Sequence, residues 1–312
     1  MSNIRKPQIS VLMAVHNSMQ FLRDAIESIL NQTFTDFEFI IIDDGSTDGS
    51  AGLLRKYAVR DSRIRLFFQD NQGLTKSLNR GLSLARGEYI ARMDGDDISL
   101  PNRIKIQLKL MQEDKEVAAL GGSPIYIDGK NRTLFQRKMP LEHDEICQAH
   151  LTGWGGFIVH PSAMLNACML KKVGGYDENF KYAQDYDLWC RLSRNWKLKN
   201  IAEPLIFYRY HNKSISNKTR NLQWSAVNNI LNREIAIANK ESPLKLNQCY
   251  EIYPEDDFWL MSAASASGCI KTTYRIFIKF VKKSIKTLYF AIKHCCLVIL
   301  IILFKQRKVP HV

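Results

Sequence analysis

The stretch FEFIIIDDGSTDG, residues 37–49, decides the fold class of this chain. Its first seven residues are rich in β-branched and aromatic side chains, as in a strand that is buried on both faces. The run ISVLMAV at 9–15 predicts a second strand of this kind. Apolar residues between the two runs fall on one stripe of a helix over 19–32. A buried strand, an amphipathic helix and another buried strand are the start of an α/β fold.

The same alternation continues along the chain. It predicts a helix near 47–59, a strand at 63–68, a helix near 73–85, a strand at 88–94 and a helix that starts at Pro101. Strands and helices that alternate through short loops form a doubly wound, mostly parallel sheet. Because such sheets bind ligands at the carboxyl ends of their strands, the chemistry is expected in the loops that follow the strands.

Two of those loops are acidic. The motif DGDD at 94–97 places three carboxylates together, and such carboxylates repel each other unless a cation neutralises them. Oxygen ligands of this kind suit Mg²⁺ or Mn²⁺, although a solvated Asp-Gly turn is the simpler interpretation. In the loop DDGSTDG, Asp44 could accept hydrogen bonds from a base or ribose, whereas Ser46 or Thr47 could simply cap a helix.

Other nucleotide-binding motifs are absent from the sequence. No GxxxxGK[ST] occurs, and no GxGxxG follows the first strand, which disfavours P-loop NTPases and ordinary dinucleotide-binding enzymes. A third acidic motif, QDYDLWCRL, starts at Gln184 and continues with helical spacing. Asp185 in this motif could be a carboxylate at a helix start, which the helix dipole favours, or a general base for a hydroxyl nucleophile.

Taken together and in this order, the motifs resemble those of family 2 glycosyltransferases. They are VHN at 15–17 and the ESILNQTFxDFE run, IIDDGSTDGS, the GxxxSLNRG run from Gly73, RMDGDDISLPxR, GGYDE and QDYDLWxRL, and they extend from about Gln8 to Ser216. The resemblance implies an inverting, nucleotide-sugar-dependent enzyme of the GT-A fold, in which a doubly wound, mostly parallel sheet is followed here by a C-terminal helical extension.

The resemblance also implies roles for particular residues. Asp185 matches the catalytic base, although Gln184 stands where Glu is usual. Asp96 matches the metal ligand of the DxD motif, and His211, in a segment similar to Arg-x-His-x-x-Ser, is a second candidate ligand for Mn²⁺ or Mg²⁺. The residues expected to bind the nucleotide sugar are Ala14, Asn17, Asp44, Lys76, Arg92, Asp94 and Gly95.

Positive charge is concentrated at the C-terminal end. The 312 residues carry 44 Lys and Arg against 31 Asp and Glu, a net charge of +13, and ten of these cations but no acid lie in 258–312, which leaves +3 for the rest. Apolar residues from Ile270 to Ile292 recur at helical spacing beside basic ones. Residues 269–312 are interpreted as a basic tail lying on an anionic membrane surface, with possible short insertion at 288–304. A true transmembrane helix, docking on its own domain and a dimer seam are the alternatives.

These observations predict a domain organisation and a function. Residues 1–216 would form the catalytic domain, with a nucleotide-sugar half to about residue 100, then an acceptor half; 217–268 would be a helical extension and connector. The predicted enzyme moves a sugar, from a UDP-sugar, to a hydroxyl of a glycan or lipid-linked acceptor in surface polysaccharide synthesis. With no secretory signal and seven cysteines read as free thiols, we place it at the cytoplasmic face of the inner membrane. The alternative functions are those of a nucleotidyltransferase and of a basic-tailed nucleic-acid-binding protein.

Overall fold

A computed structural model describes residues 6–151, 157–211, 214 and 219–239 of the chain. The strands in these residues are β1 (Ile9–Val15), β2 (Phe37–Asp44), β3 (Ile64–Gln69), β4 (Tyr89–Asp94), β5 (Ile98–Ser99), β6 (Val117–Ile127), β7 (Thr133–Gln136), β8 (Met164–Asn166) and β9 (Lys197–Arg209). The α-helices are α1 (Leu22–Leu30), α2 (Ser50–Arg60), α3 (Leu74–Leu84), α4 (Arg103–Glu113), α5 (His143–Leu151), α6 (Ala167–Lys172), α7 (Gln184–Ser193) and α8 (Arg220–Asn239). The first four predicted strands agree with β1 to β4 to within one residue at each end.

The described strands form one sheet in the order β3-β2-β1-β4-β8-β6-β9-β5, with β7 attached to β6. Strand β1 is parallel to both β2 and β4, β2 is parallel to β3, and β6 is parallel to β9. The antiparallel pairs all involve the short strands β5, β7 and β8. Most paired residues are therefore parallel, and the predicted α/β class with a doubly wound, mostly parallel sheet is confirmed.

Alternate residues of the central strands face opposite layers of helices. In β2, Phe39 and Ile41 belong to one hydrophobic cluster with residues of α1 and α2. Ile40 and Ile42 belong to a second cluster, which contains Leu78 of α3 and Trp189 of α7. All eight residues of β2 are buried, because both faces of the strand are covered. The apolar composition that predicted a two-sided buried strand thus has its cause in the two helix layers.

The register of the parallel strands brings their carboxyl ends level. Ala14 of β1 lies opposite Ile42 of β2 and opposite Asp94 of β4. Asp44, the last residue of β2, lies opposite Gln69, the last residue of β3. The two acidic loops therefore leave the sheet at the same edge, as the strand order of an open α/β sheet requires.

The start of α2 differs from the capping interpretation. Gly49, with φ of 94°, precedes the helix, and the helix begins at Ser50. Ser46 and Thr47 lie before it and contact Asn17 instead: the backbone N–H of Asn17 donates to Ser46 Oγ at 3.0 Å, and that of Thr47 donates to Asn17 Oδ1 at 2.8 Å. The interpretation of Ser46 or Thr47 as a helix cap is therefore wrong, because their polar groups join the β1 and β2 loops.

The helix predicted over 221–239 is present as α8. Its buried residues Val227 and Ile230 pack against Tyr186 and Cys190 of α7. None of the helices in the described ranges is both long enough and apolar enough to cross a bilayer. Cys147, Cys168 and Cys190 are free thiols. The predictions for the basic tail at 269–312 fall outside the described residues.

Candidate active site

Three carboxylates converge in the loop that follows β4. Asp94, Asp96 and Asp97 each offer an oxygen atom, and these atoms all lie within 4.8 Å of one another. Asp94 and Asp96 are about 30% exposed, whereas Asp97 is only 2% exposed. The loop is thus a cluster of negative charge that opens towards solvent on one side and is closed by protein on the other.

Arg92 lies beneath this cluster and offsets only part of its charge. The Arg92 side chain is 1% exposed, and its guanidinium forms an ion pair with Asp94. Burial raises the pKa of Asp94; Arg92 counteracts this and Asp96 adds to it, so the pKa remains above the ordinary value. Arg92 forms its ion pair with Asp94, and the charges of Arg103 and Arg209 also act on Asp97. The pKa values of Asp94 and Asp97 nevertheless stay raised, in part because the carboxylates repel one another, and such mutual repulsion is the electrostatic condition for binding a cation.

The third carboxylate, Asp97, is held by the end of β9. Its Oδ1 accepts a hydrogen bond of 2.7 Å from the backbone N–H of Arg209, while Arg209 Nε donates to the Asp96 carbonyl oxygen, also at 2.7 Å. The other carboxylate oxygen, Oδ2, is buried without a hydrogen-bond partner in the described residues. Burial and the neighbouring Asp96 and Asp94 raise the pKa of Asp97 well above its usual range.

His211 reaches the same loop from the segment after β9. Its Nε2 lies 2.9 Å from Asp96 Oδ2. The imidazole ring also contacts Phe21, with 4.9 Å between ring centroids. The structure therefore brings together the two predicted metal ligands, although they are separated by more than a hundred residues in the sequence.

The donor set of this loop fits a divalent cation. Carboxylate oxygens with one imidazole nitrogen are ligands that Mg²⁺ and Mn²⁺ accept. A buried oxygen of Asp97 without a partner, together with the residual negative charge, means that the protein itself does not satisfy the cluster. Asp94, Asp96 and His211 are the residues that would hold such an ion.

Asp185 lies in the first turn of α7, near the acidic loop. Ala183 precedes the helix in the left-handed conformation, with φ of 57°. Burial raises the pKa of Asp185, and both backbone N–H groups of the helix start and Arg92 partly counteract this. The negative charge of Asp185 in turn raises the pKa of Asp94. Arg92 and Asp94 thus both lie within electrostatic reach of Asp185, which combines the helix-start position with a place near the acidic loop.

Asp44 is surrounded by hydrogen-bond donors. Its Oδ1 accepts from Gln69 Nε2 at 2.7 Å and from the backbone N–H of Gln72 at 2.8 Å. Its Oδ2 accepts from the backbone N–H of Gly73 at 2.8 Å. The carboxylate is only 3% exposed and is fixed at the carboxyl end of β2. A carboxylate oxygen has room for two hydrogen bonds. Oδ1 accepts two and Oδ2 accepts one from the described residues, so Oδ2 has one acceptor position left.

The remaining predicted donor-binding residues occupy different places. Ala14 lies between β2 and β4 in the sheet, and Asn17 has φ of 53° and joins the two loops described above. Gly95 is buried, and a Cβ atom there would lie 3.3 Å from Ser18. Lys76 is exposed on α3, and Arg92 is buried beneath the acidic loop. Ala14 and Gly95 thus lie at the strand ends, whereas Arg92 contacts the site from the protein interior.

Two polar residues of this edge were missed by the sequence analysis. His16 Nδ1 lies 2.8 Å from the Asp44 carbonyl oxygen, and the side chain of Asn71 approaches the same imidazole at 3.0 Å. Gln69 fixes the Asp44 carboxylate. His16 could have been found, because it stands next to Asn17 at the end of a buried strand; Gln69 carries no such signal.

The fold and the acidic edge define a glycosyltransferase of the GT-A class. The model of the family "Glycosyl transferase family 2" matches residues 10–174, more than half of the chain. The chain belongs to this family, and it is a transferase enzyme. The predicted family and fold are confirmed, and membership of this family contradicts the nucleotidyltransferase alternative. Nucleic-acid binding by the basic tail concerns residues outside the described ranges.

Curated relatives are similar over about two thirds of the chain. An uncharacterized glycosyltransferase of Methanocaldococcus jannaschii is 36% identical over 219 residues, which cover 67% of this chain and 72% of that protein. The O-antigen biosynthesis glycosyltransferase WbnJ of Escherichia coli is 34% identical over 211 residues, 66% of this chain and 81% of that protein. Chondroitin synthase of Escherichia coli is 30% identical over 78% of this chain and 36% of its own length.

Solved structures share the fold at low sequence identity. A fragment of TarS from S. aureus in complex with UDP-GlcNAc gives a TM-score of 0.58 at 15% identity, covering 88% of this chain and 92% of that one. A mannosyltransferase from Pyrobaculum calidifontis in complex with GDP-Man and Mn²⁺ gives 0.55 at 15% identity, covering 92% and 88%. At this identity the likeness supports the GT-A fold alone.

Proposed function

We propose that this enzyme transfers a sugar, with inversion, from a nucleotide diphosphate donor to a hydroxyl group. The observation that carries the proposal is the position of Asp185 near the acidic loop of Asp94, Asp96 and Asp97. A negative cluster suited to a cation and a carboxylate with a raised pKa are the two groups this reaction needs. Two solved structures with the same fold are complexes with nucleotide sugars, one with UDP-GlcNAc and one with GDP-Man.

In this proposal each carboxylate has its own task. Asp185 takes the proton from the acceptor hydroxyl, which attacks the anomeric carbon on the face opposite the leaving diphosphate. A raised pKa makes its carboxylate a stronger base than an ordinary aspartate. A divalent cation held by Asp96, Asp94 and His211 would neutralise the charge of the departing diphosphate as a Lewis acid. One protein carboxylate then suffices as the base, and no separate general acid is required.

The nucleotide is proposed to bind at the edge formed by β1, β2 and β4. Asp44, held rigidly by Gln69 and the backbone at 72–73, keeps one acceptor position for the N–H of a base. Uracil presents one such ring N–H in UDP, as thymine and guanine do in dTDP and GDP, so this position is compatible with the proposed UDP donor but does not select it. Asn17 and Ala14 line the approach to Asp44, and Lys76 and Arg92 supply positive charge around the diphosphate and the acidic loop.

The acceptor is proposed to be a growing surface polysaccharide or its lipid carrier. The support is the similarity to an O-antigen biosynthesis glycosyltransferase, together with the basic, apolar tail in the sequence. The domain division at 216 and 268 belongs to the same proposal: a catalytic domain, a connector, and a tail that holds the enzyme at the cytoplasmic face of the membrane. Salt-sensitive cosedimentation of the full chain with anionic vesicles, but not with neutral ones, tests the tail.

Replacement of Asp185 tests the chemical part. With Mn²⁺ present, a panel of UDP-, GDP- and dTDP-sugars is screened for thermal stabilisation and for hydrolysis or transfer. We expect Asp185→Asn to keep donor-induced stabilisation and to lose turnover by about 10²–10⁴-fold, the usual contribution of a general base. Glu178→Gln, an exposed carboxylate in the same segment, is the control and should behave like wild type. Wild-type turnover in Asp185→Asn would refute the assignment of the base.

A further inference from the structure

Helix α7 carries Asp185 in its first turn and is packed on one side by α8. Tyr186 and Cys190 of α7 form a small hydrophobic cluster with Val227 and Ile230 of α8, and Tyr186 is the residue next to Asp185. Both helices follow the part of the chain that the family model matches. The packing of α8 therefore acts directly on the turn that presents the proposed base.

A buried carboxylate two residues after Asp185 joins this turn to its surroundings. Asp187 is fully buried and contacts two arginines. Arg191 Nε donates to Asp187 Oδ2 at 2.8 Å, and Arg233 Nη2 of α8 lies 2.7 Å from Asp187 Oδ1. A buried carboxylate is costly unless it is paired, and here Arg191 and Arg233 together offset the burial of Asp187. The Arg191 contact is a hydrogen-bonded pair, whereas the Arg233 contact is an ion pair without hydrogen-bond geometry.

Arg191 ties Asp187 to the turn before α7. Its Nη1 donates to the carbonyl oxygen of Val173 and its Nη2 to that of Gly175, both at 2.7 Å. Gly174 and Gly175 have φ values of 81° and 72°, which only glycine adopts freely. The carbonyl groups of this turn are therefore aimed at the guanidinium by a backbone conformation that the sequence encodes.

Arg233 ties the same carboxylate to α8 and to the segment that leads into α7. Its guanidinium carbon lies 5.6 Å from the centre of the Phe180 ring. Thr75 of α3 holds that segment from the other side, because its hydroxyl donates to the Phe180 carbonyl oxygen at 3.0 Å. Arg233 thus contacts positions 180 and 187, which flank Asp185 on both sides.

We propose that Asp187 and Arg233 are positioning residues, through which α8 holds the first turn of α7 so that Asp185 faces the acidic loop. The proposal rests on the role of Asp185 as the base. Neither residue touches the reacting atoms. Without Arg233, Asp187 would keep one of its two cationic partners, and the turn would loosen at the position next to the base.

The chain supplies a matched control for this proposal. Arg194, the residue directly after α7, forms an ion pair of 2.6 Å with Glu234 of α8. Glu234 also accepts a hydrogen bond from Arg233, so this carboxylate stays paired in Arg194→Met. Arg194→Met removes the Arg194–Glu234 contact between the two helices, whereas Arg233→Met removes the Arg233–Asp187 contact between them together with the Arg233–Glu234 contact within α8. Only the Arg233 contact acts on the first turn of α7, whereas the Arg194 contact lies at its far end.

The assay is hydrolysis of the nucleotide sugar selected by the donor panel, with thermal unfolding measured in parallel. We expect Arg233→Met to lower kcat about 10- to 100-fold with donor KM changed less than about twofold, because a misplaced base affects the reaction and not donor binding. Arg194→Met should keep kcat within about twofold, and Arg233→Lys should recover part of the loss.

A second readout separates misplacement from general destabilisation. Burial raises the pKa of Asp185, and a loosened first turn would expose this carboxylate to water. The acid limb of the kcat–pH profile should then move to lower pH in Arg233→Met and stay in place in Arg194→Met. Equal kcat and equal limbs in the two variants would overturn the positioning role. An active Asp185→Asn would instead refute the proposed function, so the two failures are distinguishable.

Discussion

The two acidic strand ends of this glycosyltransferase differ in what surrounds their carboxylates. Asp44, at the end of β2, accepts three hydrogen bonds from protein N–H groups, and no acidic side chain of the described residues is in hydrogen-bond contact with it. Asp94, Asp96 and Asp97, after β4, lie against one another, and Asp97 keeps a buried oxygen without a partner. The first carboxylate is a fixed part of the protein, and the second group is incomplete without a cation. The predictions below test this contrast.

The largest effect is expected for Asp96→Asn. Loss of this carboxylate removes the member of the cluster that contacts His211, so metal-dependent turnover should fall about 10²–10³-fold. Stabilisation by Mn²⁺ or Mg²⁺ in a thermal unfolding assay should be lost as well. Asp70→Asn, an exposed carboxylate just after β3, should leave both measurements unchanged. A full metal-induced shift in Asp96→Asn would show that the ion binds elsewhere.

Asp44→Asn should show the reverse pattern. The backbone N–H groups of Gln72 and Gly73 each donate to one carboxylate oxygen of Asp44. In Asp44→Asn an NH₂ group replaces one of these oxygens, so one buried N–H group loses its acceptor, at a cost of about 2–3 kcal/mol. We expect the free energy of unfolding, measured in urea, to fall by about that amount, and the affinity for the nucleotide to fall with it. Stabilisation by the metal alone should remain. Unchanged stability would contradict the view of Asp44 as a fixed structural carboxylate.

The same contrast shows what the sequence could predict. The run Ile40–Ile42 and its neighbours predicted a strand buried on both faces, because a continuous apolar run is a local signal and the two helix layers impose it. The predicted strands also gave the positions of the strand ends, and the two acidic loops come directly after two of these ends. The family motifs then supplied roles for Asp44, Asp96 and Asp185, which residue chemistry alone left open between a structural and a functional interpretation.

What the sequence could not predict depends on contacts between distant segments. Asp97 meets the backbone of Arg209, and Arg233 meets Asp187, only because the sheet and α8 bring them together. The short strands β5 and β8 have two and three residues, too few for a periodic pattern. The long strands β6 and β9 were not foreseen either, because each contains a proline, which argues against the interior of a strand. Gln69 also gave no signal, because its partner Asp44 is reached across the β2–β3 register.

The smallest effect concerns the pH dependence of the metal-free protein. Burial raises the pKa of Asp97 in the folded state above its value in the unfolded chain. The folded state therefore holds the proton more tightly, and stability falls as the pH rises from the ordinary aspartate range through the raised pKa. Asp97→Asn removes this proton but keeps an oxygen for the N–H of Arg209.

In EDTA, we expect Asp97→Asn to lose less stability than wild type when the pH is raised from 5 to 8, with a difference in Tm of about 2–4 °C, the shift that 1 kcal/mol causes in a domain of this size. Asp94 still titrates in the variant, so some pH dependence should remain. Asp70→Asn again serves as the control and should follow the wild-type curve. Parallel curves for Asp97→Asn and wild type would mean that Asp97 is already ionised in the metal-free site. The acidic loop would then be as fully compensated by the protein as Asp44 is, and the contrast between the two strand ends would fail.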